Sequence, residues 1–291
     1  MSKYVEELRE RVEKRLAELL RIRTPDLLWD SMAYSVKAGG KRLRPVLHLM
    51  AAELKGSSEE NLDIACAIEM IHTYSLIHDD LPALDNDTLR RGRATNHVVF
   101  GEAQAILAGD GLLNYAYEVM LQNAARFPEK SFAHLRAISF VAAAAGVGGM
   151  IAGQVQDVHL EGEPIGFEEL SYIHRHKTGD MITGALLSGL ELHDPAEEER
   201  RALCLYGENV GLVFQIVDDV LDITAGTELG KTVGKDAKSG KTTYPTLFGI
   251  EKSMEIAAQK TEQAVAALEI FSGPVVYELT ALAEQMLHRH A

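Results

Sequence analysis

The chain has 291 residues, 46% of them apolar, a net charge of −14 and two cysteines. The charge argues against a general affinity for nucleic acid or an anionic bilayer. Two cysteines, Cys66 and Cys204, are too few for a disulfide framework or a thiolate metal centre, which fits a reduced cytoplasm. No uninterrupted apolar run reaches the ~18 residues of a membrane span, so stable membrane insertion is not expected. Residues 1–15 are charged and amphipathic and lack the apolar core of a signal peptide. No Pro/Ser-rich linker or charge run divides the chain, which predicts one domain over 1–291.

Helical spacing dominates. Val5, Leu8, Val12, Leu16 and Leu19 recur every three or four residues and predict an amphipathic first helix. Thr24-Pro25 reads as an N-cap with proline at the first helical position of a second helix. Pro45 is expected to open a third, running to about Leu54. Further helices are predicted over 62–78, 102–124, 130–145, 167–176, 197–223, 242–270 and 274–289, with no convincing strand and no fixed-period repeat. Segments 62–78 and 202–221 are apolar nearly all round, which places them inside a bundle. Each ends in aspartates.

The first cluster is Asp79, Asp80 and Asp85 in "DDLPALD"; the second is Asp218, Asp219 and Asp222 in "DDVLD". Asp218 and Asp222 share a helix face with Gln215. Pro82 interrupts the first helix, so Asp85 is expected to curl back towards Asp79. An aspartate pair is more often a solvated face or an N-cap. Here, though, both clusters stand at the far ends of core helices, where the dipole is already negative. Carboxylates crowded there need cations, and all-oxygen ligands suit Mg²⁺. Two such clusters suggest a phosphate held between them through metals.

The basic residues gather in three places. "AGGKRLRP" sets Lys41, Arg42 and Arg44 on a glycine turn before a helix, a natural anion site, although surface solubility explains the same residues. "LRRGR" supplies Arg90, Arg91 and Arg93, as ion pairs for the nearby aspartates or as diphosphate ligands. Segment 225–241 carries four glycines and four lysines and is expected to be a mobile lid, with a plain surface loop as the alternative. It is no Walker loop: five residues separate Gly234 from Gly240 and no strand precedes it. Lys177-Thr178-Gly179 breaks a helical region, and Gln154 and Asp157 share a helix face. His72, His174 and His176 read as structural. His78-Asp79 is also compatible with a metal phosphohydrolase, a reading that leaves the second aspartate cluster unexplained.

The segments "GGKRLRP", "IHTYSLIHDDLPALDNDTLRRGR", "FGEAQAILAGDGLL", "HKTGD", "FQIVDDVLD" and "GKTTYP" together resemble the trans-isoprenyl diphosphate synthases, and among them the bacterial farnesyl diphosphate type. The resemblance runs over nearly the whole chain. It implies an all-α bundle of about ten or more helices around a deep central apolar cavity, the isoprenoid synthase type, usually as a homodimer. It implies isopentenyl and allylic diphosphates as substrates. Asp79, Asp85 and Asp218, supported by Asp80, Asp219 and Asp222, match positions that hold three Mg²⁺ ions on the allylic diphosphate. Arg90, Lys177 and Lys231 match ligands of that diphosphate, with Lys241 a further lysine of the closing loop. Lys41, Arg44, His72 and Arg91 match the isopentenyl diphosphate site. Thr178 and Gln215 match residues near the developing carbocation, and Gln154 and Asp157 match support for the metals. Tyr74 and Ser75, five and four residues before Asp79, match chain-length positions, and the aromatic Tyr74 implies a farnesyl product, with a geranylgeranyl product as the alternative.

Three departures stand out. Ala94 replaces a frequent proline, Lys235 has no counterpart role, and the tail "LHRHA" is less basic than in some relatives. A terpene cyclase needs neither "GGKRLRP" nor "DDVLD". A silent partner subunit has no use for intact aspartates in both motifs.

Overall fold

The computed structural model describes residues 2–224 and 241–289. Helices run through it in the order α1 (Lys3–Leu19), α2 (Asp26–Val36), α3 (Leu43–Glu53), α4 (Leu62–Asp79), α5 (Asn96–Phe100), α6 (Glu102–Arg126), α7 (Ser131–Ala145) and α8 (Met150–His159). There follow α9 (Phe167–Ile173), α10 (Asp180–Glu191), α11 (Glu197–Thr224), α12 (Tyr244–Phe248), α13 (Ile250–Ala267) and α14 (Pro274–Leu287). The all-α expectation holds. The one strand pairing among the described residues is a two-residue antiparallel ladder, β1 (Leu89–Arg90) on β2 (Arg93–Ala94), which the sequence reading did not anticipate.

The core follows the apolar periodicity. In α1 the buried residues are Val5, Leu8, Val12 and Leu16, the stripe read from spacing. Helix α4 is buried on nearly every side, from Ile64 to Ile77. It packs chiefly on α6, while α11 packs on α13 and α10 lies against both α3 and α7. The stretch Pro128–His159 is apolar enough to cross a bilayer, with mean hydropathy 1.7. It is split at Gly146–Gly149 into helices of 15 and 10 residues, each shorter than the ~20 that a span needs.

Several boundaries differ from expectation for local reasons. The second helix begins at Asp26, with Pro25 outside it as the N-cap. The third opens at Leu43 rather than Pro45; proline is tolerated in a first turn, where its missing N–H has no partner to lose. Its N-cap is Arg42, in the left-handed region at φ 49°. Helices α5, α8 and α10 were missed altogether, and 242–270 is two helices divided at Gly249, φ 80°. Lys177-Thr178-Gly179 does not break the helix. His174–Gly179 forms a π-helical turn that joins α9 to α10.

Candidate active site

Helices α4 and α11 deliver their aspartates to one region for different reasons. Helix α4 stops because Pro82 follows; the chain then turns, and Asp85 N–H donates to the Asp79 carbonyl at 2.8 Å. The expected curl is therefore present. Helix α11 runs 28 residues and carries Gln215, Asp218, Asp219 and Asp222 in its last turns. Beside it the π-turn presents Lys177 and Thr178, a local widening of the kind often found at functional sites. Two glycines allow that approach. A Cβ on Gly153 of α8 would fall 2.2 Å from the Lys177 nitrogen, and one on Gly211 of α11 would fall 2.8 Å from the Gly179 Cα.

A cleft of about 1110 Å³ lies among these elements. Its lining includes Lys41, Arg44, His72, Arg90, Arg91, Lys177, Gln215, Asp218, Asp219, Asp222 and Lys241, together with Asp157. Sequence-separated basic and acidic candidates thus share one cleft. Asp79, Asp80, Asp85, Thr178, Gln154, Tyr74 and Ser75 are not among the lining residues. Tyr74 is buried, its ring edge-on to His78 at 5.8 Å, and Ser75 donates to the His72 carbonyl within α4. Lys231 and Lys235 lie outside the described residues.

The basic side crowds like charges. Burial and the neighbouring Arg91 push the Arg44 guanidinium down from its ordinary value, with Glu69 opposing. Among the described residues Arg44 Nε has no hydrogen-bond partner. His72 is driven well below its usual value, first by burial and then by Arg44, Arg91 and Arg90. Such a site favours an anion. Arg42 also borders the cleft, but its side chain is fully buried and bonds Glu69 at 2.7 Å and Glu13 at 2.8 Å. That basic residue is structural.

Elsewhere the predicted residues pair with one another. Arg90 takes both carboxylate oxygens of Asp80, at 2.8 and 3.0 Å. Lys177 and Lys241 meet on Asp157, at 2.7 and 3.2 Å. Burial alone would raise the Asp157 carboxyl, but the two lysines win and hold it below its usual value. Asp157 thus bridges lysines, where resemblance suggested metal support. Thr178 and Gln215 share a 2.5 Å hydrogen bond, which joins the π-turn to α11.

Asp79 is pushed up to about 6, by burial first and by Asp85 and Asp80 as well, while Lys177 and Arg90 oppose. A carboxyl so disfavoured as an anion suits a cation ligand. Among the described residues no three acid, histidine or cysteine side chains converge into a ready-made metal cage. Mg²⁺ does not require one, since it takes one or two carboxylates and completes its octahedron with water and phosphate oxygens. The donor set fits a hard cation bound together with a phosphate.

Among the lining residues that sequence reasoning missed are Phe214, His174, Thr243 and Arg289. Arg289 pairs with Asp218 and lies 4.8 Å over the Phe214 ring. Only its place in the basic tail "LHRHA" hinted at it. His174 was set aside as structural, and its neighbours in space come from distant segments.

The profile of the polyprenyl synthetase family matches residues 25–270. The chain is 43% identical over 290 residues to a geranylgeranyl diphosphate synthase of Cyanophora paradoxa, covering 99% of this chain and 96% of that one. It is 46% identical over 268 residues to a farnesyl diphosphate synthase of Geobacillus stearothermophilus, covering 91% and 90%. A crystal structure of an FPP/GFPP synthase from Zymomonas mobilis matches with a TM-score of 0.87 at 32% identity, covering 97% of each chain. Relatives that match end to end carry different product names, so product length has to be argued from residues.

Proposed function

Because this chain belongs to the polyprenyl synthetase family, whose members are prenyltransferases that elongate prenyl chains, we propose that it makes farnesyl diphosphate. It joins isopentenyl diphosphate head to tail to dimethylallyl diphosphate and then to geranyl diphosphate. The observation that carries this reading is the shared cleft, which the α11 aspartates line together with two basic groups, Lys177 with Lys241 and Arg44 with Arg91. Two anion sites beside one carboxylate wall suit two diphosphate substrates.

In this reading Lys177, Lys241 and Arg90 bind the allylic diphosphate, and Lys231 joins them. Lys41, Arg44, His72 and Arg91 bind isopentenyl diphosphate. Asp79, Asp85 and Asp218 would hold Mg²⁺, with Asp80, Asp219 and Asp222 in support. When bound, Mg²⁺ neutralises charge that builds on the departing diphosphate. The lysines and Arg90 stabilise the same charge as the allylic C–O bond breaks. Gln215, which lines the cleft and is held by Thr178, would stand near the resulting cation, as the resemblance implies. Apolar side chains exclude water until the isopentenyl double bond attacks. The released diphosphate takes the proton, which requires no protein base.

Product length rests on Tyr74. It lies five residues before Asp79 on one helix, ~7.5 Å deeper along the axis, in the direction the tail must grow. The resemblance of this aromatic to a chain-length position is what supports a floor at fifteen carbons; the ring itself is buried in the core and does not line the cleft. The geranylgeranyl reading is favoured by the Cyanophora relative. Chromatography of products from the purified chain, labelled isopentenyl diphosphate and dimethylallyl diphosphate decides between them. Farnesyl diphosphate is expected to dominate, and excess chelator is expected to abolish turnover; a twenty-carbon main product or full chelator resistance overturns the respective claim.

We also propose a single-domain, cytoplasmic homodimer. Val98, Val99, Ile106 and Leu107 lie 45–55% exposed along α5 and the start of α6, apolar surface that a second copy would cover. A monomeric mass by light scattering at micromolar concentration would count against it.

A further inference from the structure

The second aspartate of "DDVLD" does something its neighbours do not. Asp219 Oδ2 accepts a hydrogen bond from the Tyr244 backbone N–H at 3.0 Å. Tyr244 is the first residue of α12, and the first N–H groups of a helix have no partner within it. The neighbouring donors are already accounted for. Thr243 N–H donates to Thr246 Oγ1 at 2.7 Å, and Pro245 has no N–H. Asp219 is 8% exposed and its carboxylate favours the positive end of that helix.

The Tyr244 side chain extends the link. Its ring is 1% exposed, stacks on His174 at 5.6 Å and 16°, and meets Phe167 edge-on at 6.1 Å. His174 is the first residue of the π-turn that presents Lys177. Three residues before Tyr244, Lys241 reaches Asp157, the carboxylate that Lys177 also holds. Segment 241–244 is therefore tied down twice, by Lys241 on Asp157 and by Tyr244 on Asp219.

We infer that Asp219 is a positioning residue: through the Tyr244 N–H it sets where α12 begins, and so holds Lys241 beside Lys177 on one phosphate. Resting on the proposed prenyl transfer, this deepens the binding site and moves Asp219 from metal support to backbone anchor. The two roles differ in what they require. An anchor needs an acceptor oxygen, which asparagine supplies; a metal ligand needs the negative charge, which asparagine lacks.

The test compares Asp219→Ala and Asp219→Asn with the parent chain in the presence of Mg²⁺. Hydrogen exchange of the peptide containing Tyr244 reads the anchor directly, whether or not the chain turns over prenyl substrates. The alanine variant is expected to speed that exchange and raise KM for dimethylallyl diphosphate about ten- to a hundred-fold, as loss of a charge-assisted hydrogen bond implies. The asparagine variant is expected to recover most of both losses, with half-saturating Mg²⁺ similar across the series. If asparagine is as impaired as alanine, or both variants need far more Mg²⁺, Asp219 is a metal ligand and the inference fails. It fails equally if alanine leaves the exchange at Tyr244 unchanged. Should the alanine variant not fold, Asp219→Leu keeps the volume without the acceptor and carries the same comparison.

Discussion

Asp218 and Asp219 are adjacent in the chain, yet their surroundings differ. Asp218 lines the cleft, partly exposed, against Arg289. Asp219 borders the same cleft but is nearly buried and accepts a hydrogen bond from the Tyr244 backbone amide. Asp218→Ala therefore should lower kcat by about 10²–10³, the usual cost of losing one group that stabilises a departing anion. Its melting temperature should change little, because the side chain is partly exposed and loses one ion pair, to Arg289. Steady-state kinetics on the well-folded variant check this, and an unchanged rate would make "DDVLD" structural. Tyr74 is the other decisive residue. Tyr74→Ala should remove the floor and shift products towards twenty carbons or more, at about 3 kcal/mol of stability for a buried aromatic. An unchanged product distribution by chromatography removes Tyr74 from that role.

The informative elements are the places where helices approach more closely than side chains allow. Gly211 meets Gly179 backbone to backbone, and a Cβ there has no flexible neighbour to displace. Gly211→Ala is expected to cost about 1–3 kcal/mol, as overpacking does. It should also lower kcat, because the displaced π-turn carries Thr178, bonded to Gln215 only four residues along α11. Thermal melts and kinetics on one preparation read both effects; loss of stability with full activity would separate packing from the site. The sequence reading took 177–179 as a break in a helical region. It did not show that the helix continues there as a widened turn, because a π-turn depends on the two glycines opposite, one on α8 and one on α11. Arg42 makes the same point from the other side. In the chain it is one of three basic residues on a glycine turn; in space Glu13 of α1 and Glu69 of α4 enclose it.

For the molecule as a whole, buried histidines set the acid limit. Burial pushes His48 down to about 4, against the Ala185 carbonyl that its ring contacts at 3.1 Å, and His72 is lowered well below its usual value. Both are neutral in the folded chain at pH 5, whereas in the unfolded chain they take up protons below about pH 6.5. The unfolded state then binds more protons, so stability rises with pH through this window and falls as pH drops. His48 alone contributes a loss on the order of 3 kcal/mol between pH 7.5 and 4. Urea unfolding at pH 7.5, 6 and 5 should show a progressive decline; equal stability at the three values would contradict neutral burial.

Periodicity alone determined that this chain is helical, which faces are buried, and that two core helices end in carboxylates. Those properties depend on residues three or four apart, and spacing is local. The quoted segments, taken together, also pointed to the family that the comparisons show. What the tertiary structure decided was partnership. Asp80 belongs to Arg90, Asp157 to two lysines, Asp219 to Tyr244, and the tail's Arg289 to Asp218. Charge complementarity between distant segments leaves no periodic trace in a sequence, because any of many basic residues satisfies it equally well until the helices are packed.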